Sequence, residues 1–471
     1  MPPKNPWWTW LAVVGAVAIL AALYLSNLST MGLVSVDEPR YADIGRAMAT
    51  SGDWITPRLF GSPWFEKPPL LYWMVAIGFK LGLGPETAPR LPVALAGLGF
   101  LAFYWLRLRR LWDTRAATWA TAMLATSAGW MAYSRIAITD IPLAVLFNVA
   151  LLASLTPGRR NTLLAAMALG MAMLAKSLLP LVLFFPVLVL ALRSDAPRRL
   201  REWLSPAPLL LFVACALPWH VLCYSRNGWA FIQVLFVDHQ FGRAVSTALQ
   251  HAQKPWFYLP VLAMLLFPWF PLVALIRPDR KDPSVRTLLS VTLFGFVFLS
   301  AVINKLPHYV LPLVPPLCAL MGRGVARSQR PQWALAIPVG LLGLLPVAAQ
   351  VLPNALAHGL RATPVVLSGA AWWIFAALGA WAALAAWRGP KVAVIAPLSA
   401  ATAYLWLQSA AFPNLDLAAS ARPLWVREHP ACLSSPSRAT GYGLSYYAHR
   451  LLPPCSPNVA PLDLGARAVI R

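Results

Sequence analysis

Long apolar runs broken by short, mostly basic connections set the rhythm of this chain. Runs such as Trp7 to Leu28 contain the ~17 to 25 apolar residues that cross about 30 Å of hydrocarbon at 1.5 Å per residue. The pattern predicts an all-α polytopic membrane protein. Trp7 to Leu28 is too long for a signal-peptide core and has no small-residue cleavage site behind it, so it reads as a retained helix. One run departs from the rhythm. Leu70 to Leu83 has only 14 residues, a length typical of re-entrant or interfacial segments, and is expected to lie along the membrane face.

The basic residues orient these spans. Arg107 to Arg115, Arg159 and Arg160, Arg193 to Arg201, Arg277 to Arg286, Arg323 to Arg330 and Arg388 to Lys391 form successive clusters. If all face the cytoplasm together with Lys4, neighbouring clusters are separated by even numbers of spans. With Leu70 to Leu83 interfacial, the count is 13 transmembrane helices. The N-terminus lies inside, residues 1–412 form the membrane domain, and residues 413–471 form a small outward C-terminal region.

Composition changes the picture in one respect. The 471 residues are 59% hydrophobic and 12% charged, with mean hydropathy +0.62 and a formal charge of +23. That charge falls in loop clusters rather than on a basic face with a recognition motif, which argues against nucleic-acid binding. Against so apolar a background, Asp37 to Leu71 stands out, because it gathers Asp37, Glu38, Asp43, Asp53 and Glu66 between two hydrophobic segments. Further ionisable residues fall on the same, outward side: Arg135 with Asp140, Lys176, Asp238-His239, and Lys305 to Tyr309. Asp140, Lys176 and Tyr309 sit at the ends of apolar helices, where an unpaired charge is costly. Asp43 is expected to pair with Arg46 one helical turn on, and Asp53 to be a solvated or capping residue.

Several ordered motifs carry a resemblance. Asp37-Glu38-Pro39-Arg40-Tyr41, Phe65-Glu66-Lys67-Pro68, Thr139-Asp140-Ile141-Pro142, Ala175-Lys176-Ser177, Asp238-His239 with Arg243, and Lys305-Leu306-Pro307-His308-Tyr309 resemble the signature of the bacterial aminoarabinose transferases that modify lipid A. Those belong, with the protein O-mannosyltransferases, to the GT-C class of polyprenyl-phosphate-sugar-dependent glycosyltransferases. The resemblance implies a GT-C fold with juxtamembrane helices in the first outward loop, in the bacterial inner membrane, with an active site facing the periplasm. It implies an inverting transfer of a sugar such as 4-amino-4-deoxy-L-arabinose to lipid A or another envelope acceptor. A protein O-mannosyltransferase-like activity is the alternative.

Position by position, the resemblance makes Asp37 and Asp140 the catalytic acids, with Tyr41, Glu66, Lys67, Lys176, Arg243 and Tyr309 binding substrate. Glu66 and His239 become a candidate metal pair, for Zn²⁺ or for Mg²⁺/Mn²⁺. Two departures stand out. Ser177 replaces the family's usual glycine, and the outward C-terminal region is short.

The residue chemistry is consistent on its own terms. Breaking a sugar–phosphate bond calls for negative charge near the oxocarbenium-like centre and a cation on the departing phosphate. Asp37 suits the first role, and Lys176 or Lys67 the second. A hydroxyl acceptor would need a general base, whereas a phosphate acceptor would not. Glu66 and His239 are acceptable metal ligands, but no metal-binding spacing supports them. Cys215, Cys223 and Cys318 lie in or beside apolar helices and read as packing residues. Cys432 and Cys455 lie in the outward tail, where an oxidising compartment would allow a disulfide. Within that tail, Ala439 to Tyr447 and Ala468 to Ile470 are expected to be strands. A transporter would place charges near the bilayer midplane and show repeat symmetry, neither of which the pattern has.

Overall fold

A computed structural model describes residues 6–193, 201–242, 252–279, 281–358, 370–434 and 437–455. Most of it is helical. Among the described residues, six helices are long and apolar enough to cross a membrane, including Thr87–Leu111, Pro206–Asn227, Pro283–Ala301 and Pro307–Ala326. Shorter apolar helices pack among them. Helix length alone therefore does not reproduce a count of 13 spans.

The first half begins with α1 (Pro6–Leu25), α2 (Asp37–Ser51), α3 (Leu70–Lys80) and α4 (Thr87–Leu111). α2 opens on Asp37 and Glu38, whose charges complement the positive N-terminal end of its dipole, and stops at Gly52, which takes φ +75° and caps Met48 O. α3 has 11 residues, roughly 16 Å of helix, half of what a span requires. α2 and α3 pack closely because Gly45 presents no side chain; a Cβ there would lie 2.4 Å from Val75 Cγ1. Between them, Arg58–Leu59 and Ser62–Pro63 form a two-stranded hairpin. Its turn residues Phe60 and Gly61 both have positive φ, as a tight two-residue hairpin turn demands. Asp43 holds it: one carboxylate oxygen accepts from Phe60 N at 2.8 Å while the other pairs with Arg46 at 2.5 Å.

Next come α5 (Thr114–Ala125), α6 (Ala128–Tyr133), α7 (Asp140–Ser154), α8 (Arg159–Lys176) and α9 (Leu179–Arg193). α7 and α8 form an antiparallel pair through a short connection at Pro157 and Gly158. This geometry returns the C-terminal end of α8 to the N-terminal end of α7.

A buried lock fixes α2 against this frame. Glu38 is fully buried and accepts from Arg90 Nε and Nη2 at 2.7 Å each, from Val34 N at 2.8 Å and from Ala137 N at 3.0 Å. Arg90 spends its remaining donors on the Leu28, Met31 and Gly32 carbonyls. One ion pair thus joins the end of α1, the start of α2, α4 and the approach to α7.

The C-terminal region corrects one expectation. Arg438–Tyr447 is a helix, not a strand. Ser437 caps it by accepting from Thr440 N, and Tyr442 and Tyr446 fall one turn apart on a face that packs against α2. Arg46 donates to Tyr446 O at 3.0 Å and lies 4.4 Å from that ring, while Tyr446 Oη donates to Pro85 O at 2.8 Å. Helical spacing of aromatics over a complementary surface outweighs the strand preference of Tyr and the helix cost of Gly. The segment Ala468 to Ile470 lies outside the described residues. Cys432 and Cys455 form a disulfide, and the Ile395–Ala419 helix runs past Pro413 before the tail begins.

Candidate functional site

One half of the site is built on α2. Arg40 lies one turn after Asp37 and pairs with it, and the same guanidinium reaches Glu66 at 3.3 Å and Val36 O at 3.1 Å. The rings of Trp64 and Tyr442 flank it at 5.4 and 5.3 Å, so Arg40 is held by acids in its plane and aromatic rings around it. Asp37 keeps 27% of its side chain exposed. Burial by itself would raise its carboxyl pKa, but the charges of Arg40, His308 and Lys67 outweigh burial and hold it below the usual value. Tyr41 is 3% exposed, with its ring 5.7 Å from that of Tyr72, beneath the charges. Burial pushes its phenol well above its ordinary pKa, so it stays a neutral hydroxyl.

The other half is built on the α7–α8 pair. Asp140 opens α7 and Lys176 closes α8, each at the helix end whose dipole favours its charge. They pair at 2.5 Å. Lys176 Nζ also lies 3.9 Å from the centre of the Tyr309 ring, and His308 Nε2 stands 3.7 Å from Asp140 Oδ2. A π-helix, Gln233–Gly242, carries His239, whose Nε2 is 3.7 Å from Glu66 Oε1. Glu66 thus connects the π-helix to Arg40, and the influence of His308 and Lys67 on Asp37 connects the halves. Three carboxylates (Asp37, Glu66, Asp140) and three cations (Arg40, Lys67, Lys176) share this region with two histidines. Arg243 lies outside the described residues.

Such a balanced cluster beside apolar helices can hold an anion and a developing cation at once, as transfer from a lipid-linked sugar phosphate requires. The chain's likeness to known proteins agrees. The pattern of the dolichyl-phosphate-mannose-protein mannosyltransferase family matches residues 9–227. An undecaprenyl phosphate-alpha-4-amino-4-deoxy-L-arabinose arabinosyl transferase of Pseudomonas paraeruginosa is 34% identical over 451 residues, covering 89% of this chain and 79% of the relative. The chain belongs to this arabinosyl transferase family. It is a membrane-embedded GT-C glycosyltransferase. The crystal structure of ArnT from Cupriavidus metallidurans bound to undecaprenyl phosphate is 25% identical, with a TM-score of 0.77 over 95% of this chain and 86% of that one. The apo Archaeoglobus fulgidus oligosaccharyltransferase, at 16% identity and a TM-score of 0.51 over 97% of this chain and 61% of that one, shares the fold.

The transferase's candidate metal pair, Glu66 and His239, does come together. Among the described residues, however, no three His, Cys, Asp or Glu side chains converge as a metal site needs, whereas catalytic zinc generally has three protein ligands. The described donors do not complete such a site, and no step below is routed through a metal.

Two residues of the cluster received no role from the sequence. Arg40 bridges Asp37 and Glu66, and its spacing of three from Asp37 on a helix was the available signal. His308 lies inside the Lys305 to Tyr309 motif, next to the assigned Tyr309. The geometry makes the Ser177 departure a costly one. Ser177 ends α8 at φ +47°, ψ −127°, backbone that glycine adopts without penalty and serine does not.

Proposed function

We propose that this transferase moves 4-amino-4-deoxy-L-arabinose from undecaprenyl phosphate to a phosphate of lipid A, at the periplasmic face of the bacterial inner membrane. The observation that carries the reading is the paired-charge cluster, set in a chain whose fold matches ArnT bound to undecaprenyl phosphate. In this reading an acceptor oxygen forms a bond to C1 of the sugar as the C1–O bond to the carrier breaks, and that bonding pair leaves on the carrier phosphate. The configuration at C1 inverts.

Lys176, at a helix end beside the bilayer, receives the departing phosphate, with Lys67 nearby; Asp140 and Tyr309 hold Lys176 ready. Asp37 stands near the positively charged C1 region and Arg40 fixes its carboxylate. Glu66 and the Tyr41 layer support that arrangement. The low pKa of Asp37 makes it a weak base, which favours an acceptor that is already anionic, a phosphate, over a protein hydroxyl that must lose a proton. The match to the mannosyltransferase pattern keeps the hydroxyl acceptor as the second reading.

Lipid extraction and mass spectrometry of a deletion strain decide between them. Lipid A should lose its aminoarabinose-modified species and regain them on complementation. Unchanged lipid A together with lost glycoprotein modification would overturn the proposal.

A further inference from the structure

The far end of the molecule carries a second basic assembly that the transfer reaction does not use. The Pro307–Ala326 segment bears His308 and Tyr309 at one end and Arg323 at the other, roughly 20–25 Å along the helix axis. Around Arg323 is a cavity of about 560 Å³, within the roughly 300–1,000 Å³ of ligand sites. Arg277, Arg323, Arg327 and Arg330 line it, together with apolar residues such as Leu275 and Leu320.

Positive-inside topology accounts for arginines at this end of the helices, but not for their arrangement. Arg107, in another cluster, has acceptors for its guanidinium in Asn161, Thr156 and the Leu152 carbonyl. In the cavity, Asp279 and Asp282 both engage Arg323, at 3.3 and 2.7 Å, and both do so through Nη2. Arg323 is only 6% exposed, and its Nε is buried with no hydrogen-bond acceptor, a state that protein interiors rarely tolerate. Asp279 also approaches Arg327, at 3.8 Å. Arg277 and Arg330 pair with no carboxylate among the described residues. Four arginines against two aspartates leave the cavity with positive charge in excess and one buried donor unmet.

We propose that this cavity binds the phosphate of an anionic glycerophospholipid. A phosphate supplies the acceptors that the guanidinium groups lack. The apolar lining and the position of the cavity at the end of the membrane-crossing Pro307–Ala326 segment, where the chain turns into a second such helix, Pro331–Leu356, select a lipid over a soluble anion. Trp333 and Ile337, exposed on the second of these helices just beyond Arg330, continue the surface that acyl chains would follow. Basic pockets between helices are a recurrent way of holding such headgroups. The site stands at the opposite end of the Pro307–Ala326 segment from the transferase cluster and does not depend on the proposed acceptor.

Native mass spectrometry of the full-length protein in dodecyl maltoside tests this, with phosphatidylglycerol, phosphatidylethanolamine or inorganic phosphate added. The wild type should retain phosphatidylglycerol over phosphatidylethanolamine. Arg327→Gln/Arg330→Gln, which leaves the buried Arg323 intact, should weaken that retention by roughly five-fold per arginine, or roughly 25-fold together. Arg277→Gln gives a second, independent variant at an exposed position. Equal retention of the two lipids by the wild type would overturn the proposal, as would undiminished retention by all the variants. Binding of inorganic phosphate with no lipid preference would assign the cavity to a soluble anion and overturn the lipid assignment.

Discussion

Asp37 and Glu38 are neighbours of like charge that the fold puts to opposite uses. Glu38 is fully buried, and its two oxygens accept four hydrogen bonds, from Arg90 and two backbone amides. With every bond made, it can only hold structure. Asp37 is partly exposed, shares Arg40 with Glu66, and faces Lys67 and His308. Its charge is stabilised without being fully enclosed, so it remains available to a substrate. Adjacent carboxylates in an apolar chain are therefore sorted by saturation: the one whose hydrogen bonds are complete is a brace, and the one with surface and lone pairs to spare is the one proposed as a reagent.

The comparison breaks most easily on the Glu38 side. Glu38→Gln removes the partner of a buried arginine, a loss of about 3–5 kcal/mol. The expected outcome is little monodisperse protein and a much lower melting temperature in detergent. Glu38→Gln protein of normal stability would remove the distinction between brace and reagent.

The cluster's second half offers the next largest effect. Lys176→Ala should raise the apparent KM for the lipid-linked donor by roughly 10- to 100-fold, the worth of a hydrogen bond to a charged group, and lower the melting temperature, because the buried Asp140 loses its partner. An unchanged KM would move the phosphate role to Lys67.

Ser177 provides a smaller and opposite change. Ser177→Gly relieves a positive-φ serine and should stabilise the protein by about 1 kcal/mol, read as a modest rise in melting temperature. A fall would mean that the buried Ser177 side chain contributes more than its backbone costs.

Acidification should have the least effect. The Asp37 pKa lies below its ordinary value, so its carboxylate stays charged from pH 7 to pH 5. Any stability it confers is present above the unfolded carboxyl pKa of about 3.9 and is lost only as pH falls through the lower folded value. The kcat/KM profile should accordingly show no acid limb from Asp37 in that window. A limb near pH 6 that disappears in Asp37→Glu would show a carboxyl tuned upward as a general base.

Much of this was legible in the sequence because of contrast. Charges at the ends of apolar helices are conspicuous, so Asp37, Glu66, Asp140, Lys176 and Tyr309 could be named from pattern and resemblance, and the fold places them together. The 14-residue run at Leu70 was short enough to set apart, and α3 is correspondingly brief. What the pattern could not carry was partnership over distance. Glu38 and Arg90 are 52 positions apart, and nothing local marks one as the other's counterion. Arg40 and His308 were visible within their motifs but acquire roles only when Glu66 and Asp140 are brought to them. The Arg438–Tyr447 helix is not legible locally because tyrosine and glycine lower helix propensity, while the surface that rewards its helical face belongs to α2.

The central claim, that Asp37 acts by its charge while Glu38 braces, is tested most directly by Asp37→Asn, assayed for transfer to lipid A in membranes matched for folded protein. The substitution keeps shape and removes charge. The account predicts protein that still folds and inserts, with a lower melting temperature from loss of the Arg40 pair and with transfer reduced by at least roughly 100-fold, as for loss of a group that stabilises transition-state charge. Near-normal turnover by a normally folded Asp37→Asn protein would contradict it.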